Sequence, residues 1–145
     1  MNEELIKALR IAFASEYAFV IKAQNFHWNV EGIHFVSLHE LFGKIYEEAY
    51  SSIDDFAENI RKLGGYTPAS FNALSMLSTV DREDNLLSAE EMIAELLQDS
   101  DKMGKVLGLV YDLSEKYKER GLSNFIADRQ DAHKKHSWML RSLLK

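Results

Sequence analysis

Residues 25–40, with the sequence NFHWNVEGIHFVSLHE, hold three of the five histidines and lie between two stretches of helical pattern. Before this segment, apolar residues recur every three to four positions, and His27 extends that stripe. Gly32 interrupts the pattern, and a second apolar stripe follows. The segment therefore predicts a turn between two antiparallel helices. Since His27 and His39 stand at similar distances from the turn, we expect them at the same level of the helix pair.

Turn and cap residues predict four long helices. Asn2 can cap the first helix, and the second runs from about residue 36 to 63, where Gly64-Gly65 ends it. Ser88, with Glu91 three residues later, forms a capping box that opens the third helix, and Ser123 can cap the fourth. The apolar stripes of the four helices are Leu5, Leu9, Phe13, Tyr17 and Val20; Leu38, Phe42, Ile45, Ala49, Phe56 and Ile60; Met92, Leu96, Met103, Leu107, Val110 and Leu113; and Ile126, Trp138, Leu140 and Leu144.

The connection between the second and third helices is the longest in the chain. It begins after Gly64-Gly65 and contains three apolar residues, Phe71, Leu74 and Leu77, that predict a short helix. A loop of this length must cross a bundle from end to end or carry a function, because most connections are far shorter. The predicted fold class is all-α, a four-helix bundle with a long crossover that contains a short helix.

Composition restricts the class of protein. The chain has 145 residues, of which 46% are hydrophobic and 28% charged, so residues 1–145 are expected to form a single domain. No apolar stretch approaches the ~20 residues that span a bilayer, and the start of the chain lacks the pattern of a secretory signal, so we expect a cytoplasmic protein. There is no cysteine, so any metal must be held by imidazole and carboxylate groups.

Asp54 and Glu58 form a second set of candidate metal ligands. Their i,i+4 spacing places both carboxylates on one face of the second helix. With His27 and His39 they would make a suitable ligand set for iron or another first-row metal. However, His39 and Asp54 are fifteen residues apart on one helix, which separates them by about 22 Å. If the four bind one metal, the histidines of one chain must face the carboxylates of another, most simply across a two-fold axis.

One other interpretation competes with this metal site. Paired carboxylates on a helix are more often a solvated face than a metal site, and a histidine on an apolar stripe is often a hydrogen-bonded core residue. On that interpretation the chain is a structural bundle without metal chemistry. A zinc-protease helix is excluded, because Gly43 occupies the place of the second histidine after His39-Glu40.

Several motifs resemble the Dps family, the mini-ferritins. The resemblance rests on Asn25-Phe26-His27-Trp28-Asn29-Val30, Gly32, His34-Phe35, Leu38-His39-Glu40, Asp54-Asp55-Phe56-Ala57-Glu58, Ile60-Arg61-Lys62-Leu63-Gly64-Gly65 and Trp138-Met139-Leu140. It implies a ferritin-like four-helix subunit in a hollow shell of twelve copies, with a ferroxidase centre between two-fold-related subunits. The positions that match that centre are His27, His39, Asp54 and Glu58.

The resemblance also implies an activity. The centre would bind Fe(II), oxidise it preferentially with hydrogen peroxide and deposit ferric mineral inside the shell, which protects against oxidative damage. Trp28, next to His27, resembles the family's aromatic residue beside the centre and would trap radicals; packing at a subunit interface is the alternative role. Zn(II) would accept the same ligands, so the sequence does not fix the resident metal.

The alternative function is a DNA-binding protein that compacts the nucleoid and binds iron only secondarily. Many family members bind DNA through a Lys-rich N-terminal extension, which is absent here, and the formal net charge is −6, so DNA binding is not expected. A basic run in the last helix keeps the alternative open, although cations near a helix C-terminus also complement its dipole. The run consists of Arg129, Lys134, Lys135, Arg141 and Lys145.

Overall fold

The computed structural model describes residues 2–145, and in this part of the chain all regular secondary structure is helical. This confirms the predicted all-α class, a four-helix bundle whose crossover contains a short helix. The helices are α1 Glu3–Asn29, α2 Phe35–Ser51, α3 Ile53–Lys62, α4 Phe71–Leu77, α5 Ala89–Lys116 and α6 Arg120–Leu143. None of the described helices is long and apolar enough to cross a membrane.

Contacts at one end of the bundle fix the directions of the helices. The Asn2 side chain donates to the carbonyl oxygen of Leu63 over 3.3 Å, so the start of α1 lies beside the end of α3. Lys116, in the last turn of α5, donates to the Glu4 carboxylate over 2.6 Å. The start of α1 and the ends of α3 and α5 therefore meet, and α5 runs antiparallel to α1 and parallel to α2–α3.

The crossover runs along α1 from one end of the bundle to the other. Arg10 donates to the carbonyl oxygen of Tyr66 over 2.9 Å, at the start of the crossover. The hydroxyls of Ser15 and Thr79 are 3.0 Å apart after α4. Further along, the Asn25 side chain donates to the Glu83 carbonyl oxygen over 3.5 Å. These contacts follow α1 towards its C-terminus and confirm that the long connection traverses the bundle.

Caps agree with the sequence at two helix ends. Both hydrogen bonds of the capping box between Ser88 and Glu91 are present at the start of α5. Gly64 has φ +96°, and the amide of Gly65 donates to the Ile60 carbonyl, which is the Schellman arrangement that ends α3. A side chain at Gly64 would be strained there, so the glycine is required by the backbone.

Three expectations about the helices were wrong. The second helix is interrupted at Ser52, whose hydroxyl donates to the Ala49 carbonyl oxygen over 2.7 Å and competes with the helical ladder. The last helix starts earlier than predicted, at Arg120, so Ser123 lies buried inside α6 and caps nothing. Asn2 occupies the cap position of α1, but its side chain bonds to Leu63 instead of to the free amides of α1.

The core forms from the predicted stripes with a few exceptions. All six predicted positions of the second stripe are buried, as are Ile126 and Leu140 of the last helix. Trp138 and Leu144, which were predicted to belong to the same stripe, are exposed, and Trp138 is 63% accessible. His133 lies two helical turns after Ile126 in α6 and is buried where an apolar side chain would be expected.

Candidate metal centre

His27 and His39 form a reciprocal pair at the turn between α1 and α2. The Nδ1 atom of His27 lies 2.5 Å from the carbonyl oxygen of His39, and the Nδ1 atom of His39 lies 2.6 Å from the carbonyl oxygen of His27. The two imidazoles stack, with ring centroids 3.9 Å apart and planes 13° from parallel. The structure therefore brings together the two histidines that the sequence placed at one level.

These contacts determine the tautomer of both rings. A carbonyl oxygen can only accept a hydrogen bond, so each Nδ1 must carry the proton and donate it. In the neutral imidazole the lone pair then resides on Nε2, which is the form of histidine that binds a metal. Metal-binding histidines commonly donate their other ring N–H to a backbone carbonyl or a carboxylate, which fixes the orientation of the ring. The pair thus has the electronic arrangement of two preorganised ligands.

Three residues that the sequence did not assign to the site lie beside the histidine pair. The Phe35 ring stacks on His39 with centroids 5.1 Å apart, and the Tyr46 ring lies 5.5 Å from that of His27. Gly43 lies directly against the His27 ring, so a Cβ atom there would be 2.9 Å from two ring atoms. The sequence signal for Gly43 is a glycine in the middle of an amphipathic helix.

Asp54 and Glu58 lie apart from the histidines, in the exposed surface of α3. Asp54 belongs to the first turn of that helix, where a carboxylate is favoured by the helix dipole. Across residues 2–145, no group of three or more histidine and acidic side chains is close enough to hold a metal within one chain. The two predicted ligand sets are therefore separate in the subunit, as the helix-rise estimate required.

Four exposed apolar side chains lie close in sequence to the histidine pair. Trp28 follows His27 at the end of α1 and is 65% accessible, and Ile33 in the turn is 95% accessible. Phe35 and Val36 at the start of α2 are exposed as well. Large exposed apolar side chains grouped in this way are typical of a protein contact. We name Trp28, Ile33, Phe35 and Val36 the turn patch.

A second polar cluster, which the sequence analysis did not predict, lies inside the bundle. Arg129 of α6 donates to the carboxylates of Glu16 and Glu48, over 3.1 and 2.5 Å respectively. His133 Nε2 lies 2.7 Å from Glu16, and His136 Nε2 lies 2.8 Å from Glu48. We call these five residues the interior cluster.

Electrostatics explain how the interior cluster tolerates its carboxylates. Burial opposes ionisation of Glu48, but hydrogen bonds from His136 and Arg129 outweigh it and lower the pKa of Glu48 to about 2. The pKa of Glu16 is lowered too, because attraction to His133 and Arg129 overcomes its complete burial. Arg129 is buried among these carboxylates, so this member of the basic run does not contribute to an exposed basic surface. A sequence signal for the interior cluster was the heptad spacing of Ile126, His133 and Leu140, which places His133 on the same face of α6 as two apolar residues.

The four-helix fold with its crossover defines a ferritin-like protein, and comparison with known proteins agrees. The family model described as Ferritin-like domain matches residues 6–145. The chain is 32% identical to an uncharacterized low temperature-induced protein of Nostoc sp., over 99% of this chain and 82% of that protein. It is 30% identical to the DNA protection during starvation protein of Brevibacillus brevis, over 86% of this chain and 84% of that one.

A solved structure narrows the class further. Dps from Staphylococcus aureus superposes with a TM-score of 0.94 at 30% identity, covering 99% of this chain and 96% of that chain. The chain belongs to the Dps family of ferritin-like proteins.

Proposed function

We propose that this protein is a ferroxidase and iron store, in which residues 1–145 form one domain and copies of it assemble into a cytoplasmic shell of twelve. Each reaction centre is shared: His27 and His39 come from one subunit, and Asp54 and Glu58 from its two-fold partner. Fe(II) is the substrate, and ferric mineral accumulates in the cavity. Family membership supports the shell, and the reciprocal histidine pair is the observation that supports the centre.

The histidine pair favours metal binding over a purely structural role. A structural histidine uses its ring nitrogens for hydrogen bonds, as His133 does with Glu16 and Ser100. Within residues 2–145, His27 and His39 each form hydrogen bonds only through Nδ1, and both residues are partly exposed to solvent. A partner carboxylate placed beside them supplies the negative charge that neutralises Fe(II).

The proposed oxidation transfers two electrons to each hydrogen peroxide molecule and so releases no radical. Two Fe(II) ions each give one electron to hydrogen peroxide, which takes up two protons and forms two water molecules. A shared centre holds the substrate ions near each other, so peroxide accepts both electrons in one place. Trp28 lies beside His27, where it would intercept a one-electron oxidant that escapes; contact with the partner subunit is the other role that its position supports.

The first experiment measures iron oxidation directly. Fe(II) and then peroxide are added anaerobically, and ferric absorbance is followed in the wild type, in His27→Ala with His39→Ala, and in Asp54→Ala with Glu58→Ala. Both double variants are expected to lose most of the initial rate at saturating peroxide. Equal rates in the three proteins would refute the assignment of the centre.

Subunit exchange tests whether the centre is shared. A dimer that combines one subunit of each double variant has one centre with all four ligands and one with none. Mixing the two variants under conditions that permit exchange should therefore restore part of the rate. If exchange is demonstrated by mass labelling and no activity returns, the ligands do not meet across subunits.

DNA protection is a second candidate function, because the Brevibacillus brevis relative carries that name. Against it stand the formal net charge of −6 and the burial of Arg129 inside the bundle. Phosphate binding needs clustered free cations and weakens steeply with salt. A gel-shift assay at low and moderate salt separates the functions: retention of DNA at moderate salt would favour the second candidate.

A further inference from the structure

Gly43 occupies an unfavourable place for a glycine. It lies in the interior of α2, a helix of 17 residues, between Phe42 and Lys44. Glycine destabilises a helix interior relative to alanine because the unfolded backbone loses more freedom. Its φ is not positive, since only Gly32 and Gly64 among the glycines have that conformation. The backbone of α2 therefore does not require glycine at this position.

The space around Gly43 does require it. A Cβ atom added there would lie 2.9 Å from Cε1 and 2.9 Å from Nδ1 of His27, and 3.7 Å from its Nε2. These three ring atoms are its nearest neighbours outside the local helix. Contacts below 3 Å between such atoms are strongly repulsive, so either the ring or the helix must move. The His27 imidazole therefore accounts for the glycine.

Moving the ring would disturb both histidines. Nδ1 of His27 is the atom that donates to the His39 carbonyl oxygen, so a shift lengthens that 2.5 Å hydrogen bond. The His27 ring also stacks on the His39 ring at 3.9 Å, so His39 must follow or lose the contact. A single methyl group at position 43 thus acts on two proposed metal ligands at once.

We propose that Gly43 is a positioning residue for the metal centre: its missing side chain lets the His27 imidazole pack against α2 and bond to the His39 carbonyl. This inference rests on the proposed function, because it assumes that His27 binds the metal. Glycine at position 43 has opposite effects on two properties: it lowers the stability of α2, and it preserves the geometry of the histidine pair. Replacing it should therefore damage metal binding without unfolding the protein.

The test uses Co(II), which reports its ligands through visible absorption and is not oxidised anaerobically. Assembled protein without metal is titrated with Co(II), and its urea unfolding midpoint is measured in parallel. Gly43→Ala should weaken Co(II) affinity by roughly tenfold or more, the usual effect of disturbing the groups that orient a ligand. Its unfolding midpoint should be unchanged or raised.

Gly104→Ala is the matched control, because Gly104 is also inside a helix and a Cβ there meets nothing within 4 Å. It should bind Co(II) like the wild type.

Combination with His27→Ala shows whether Gly43 acts through that ring. If it does, Gly43→Ala should cause no further loss of Co(II) affinity in the His27→Ala background. Any fall in the unfolding midpoint of Gly43→Ala should disappear there too, because the clash is gone. A loss of either kind that persists in the double variant overturns the inference.

Two failures remain distinguishable. Unchanged Co(II) affinity in His27→Ala would refute the proposed function and leave Gly43 with no ligand to position. If His27→Ala weakens Co(II) binding while Gly43→Ala binds like the wild type, the role of Gly43 alone is wrong.

Discussion

Two groups of polar side chains in this subunit differ in how many of their polar atoms already form hydrogen bonds. His27 and His39 each bond through Nδ1, and within residues 2–145 the other ring nitrogen makes no hydrogen bond. In the interior cluster, Arg129 and His133 both donate hydrogen bonds to the Glu16 carboxylate. The first group has the ring nitrogens that the proposed centre requires, and the second has the features of a structural ion network. Their chemistry is similar, and only their hydrogen-bond partners distinguish them.

The interior cluster should depend on its guanidinium. Arg129→Leu removes the charge that bridges Glu16 and Glu48 and leaves each carboxylate with one histidine as its remaining partner. Breaking a buried pair in this way costs about 3–5 kcal/mol, which urea unfolding measures. Arg141→Leu is the control, because its contact with Asp101 is exposed and 3.5 Å long. It should change stability by less than about 1 kcal/mol. Similar losses in both variants would show that burial of Arg129 is not the cause.

Acid should weaken the fold through Glu48. Its pKa falls from an ordinary 4.5 to about 2 in the folded protein, since His136 and Arg129 stabilise the carboxylate despite its burial. A lowered pKa contributes stability above the unfolded value and loses it as pH falls through the folded value. The urea midpoint of the wild type should therefore decrease between pH 4.5 and 2. In Glu48→Gln the midpoint at neutral pH should be lower and the decrease shallower. Equal slopes in the two proteins would contradict the role of Glu48.

Helix boundaries determine where the chemistry lies along the chain. Ser52 separates α2, which carries His39, from α3, which carries Asp54 and Glu58. Because α3 begins at Ile53, Asp54 occupies the first turn of that helix. The combined length of α2 and α3 keeps the exposed carboxylates away from the histidines of the same subunit.

The capping box should stabilise α5 measurably. Ser88 accepts a hydrogen bond from the amide of Glu91, and the Glu91 carboxylate accepts one from the amide of Ser88. Ser88→Ala removes the first of these and should cost about 1 kcal/mol of unfolding free energy. Ser142→Ala serves as the control, since that hydroxyl bonds only within the last turns of α6. A cost for Ser88→Ala no greater than that for Ser142→Ala would argue against the cap.

The turn patch indicates how subunits would meet around the histidine pair. Its four apolar side chains are exposed in the isolated subunit, and no carboxylate within residues 2–145 completes a metal site with the nearby histidines. A second copy placed over the patch would bury it and could bring its α3 carboxylates to the histidines. Assembly and activity should therefore depend on the same surface.

Val36 tests that dependence. Val36→Glu places a charge in the turn patch, where Val36 is 67% accessible in the subunit. We expect the assembly to dissociate in analytical ultracentrifugation and the rate of Fe(II) oxidation per subunit to fall, because burying an unpaired charge is costly. Val36→Leu preserves the apolar surface and should assemble like the wild type. A fully assembled Val36→Glu protein with wild-type rate would exclude the patch from the interface that forms the centre.

Local patterns sufficed for most of the fold. Apolar periodicity, the Ser88 capping box and Gly64-Gly65 predicted the order of the long helical segments and the crossover between them, because these signals depend on neighbours a few residues apart. The same reasoning failed at Ser52 and Ser123, since a serine can cap a helix, break it or lie buried within it. Which of these occurs depends on the backbone group that its hydroxyl reaches.

The sequence by itself determined an all-helical bundle and, through helix rise, that His39 and Asp54 cannot share a metal within one chain. Only the tertiary structure decided that His27 and His39 hold each other through backbone carbonyls, that Gly43 makes room for that pairing and that Arg129 turns inward. The reason is physical: helix formation and length follow from local spacing, whereas hydrogen-bond partners and the space beside a ring come from elements distant in sequence.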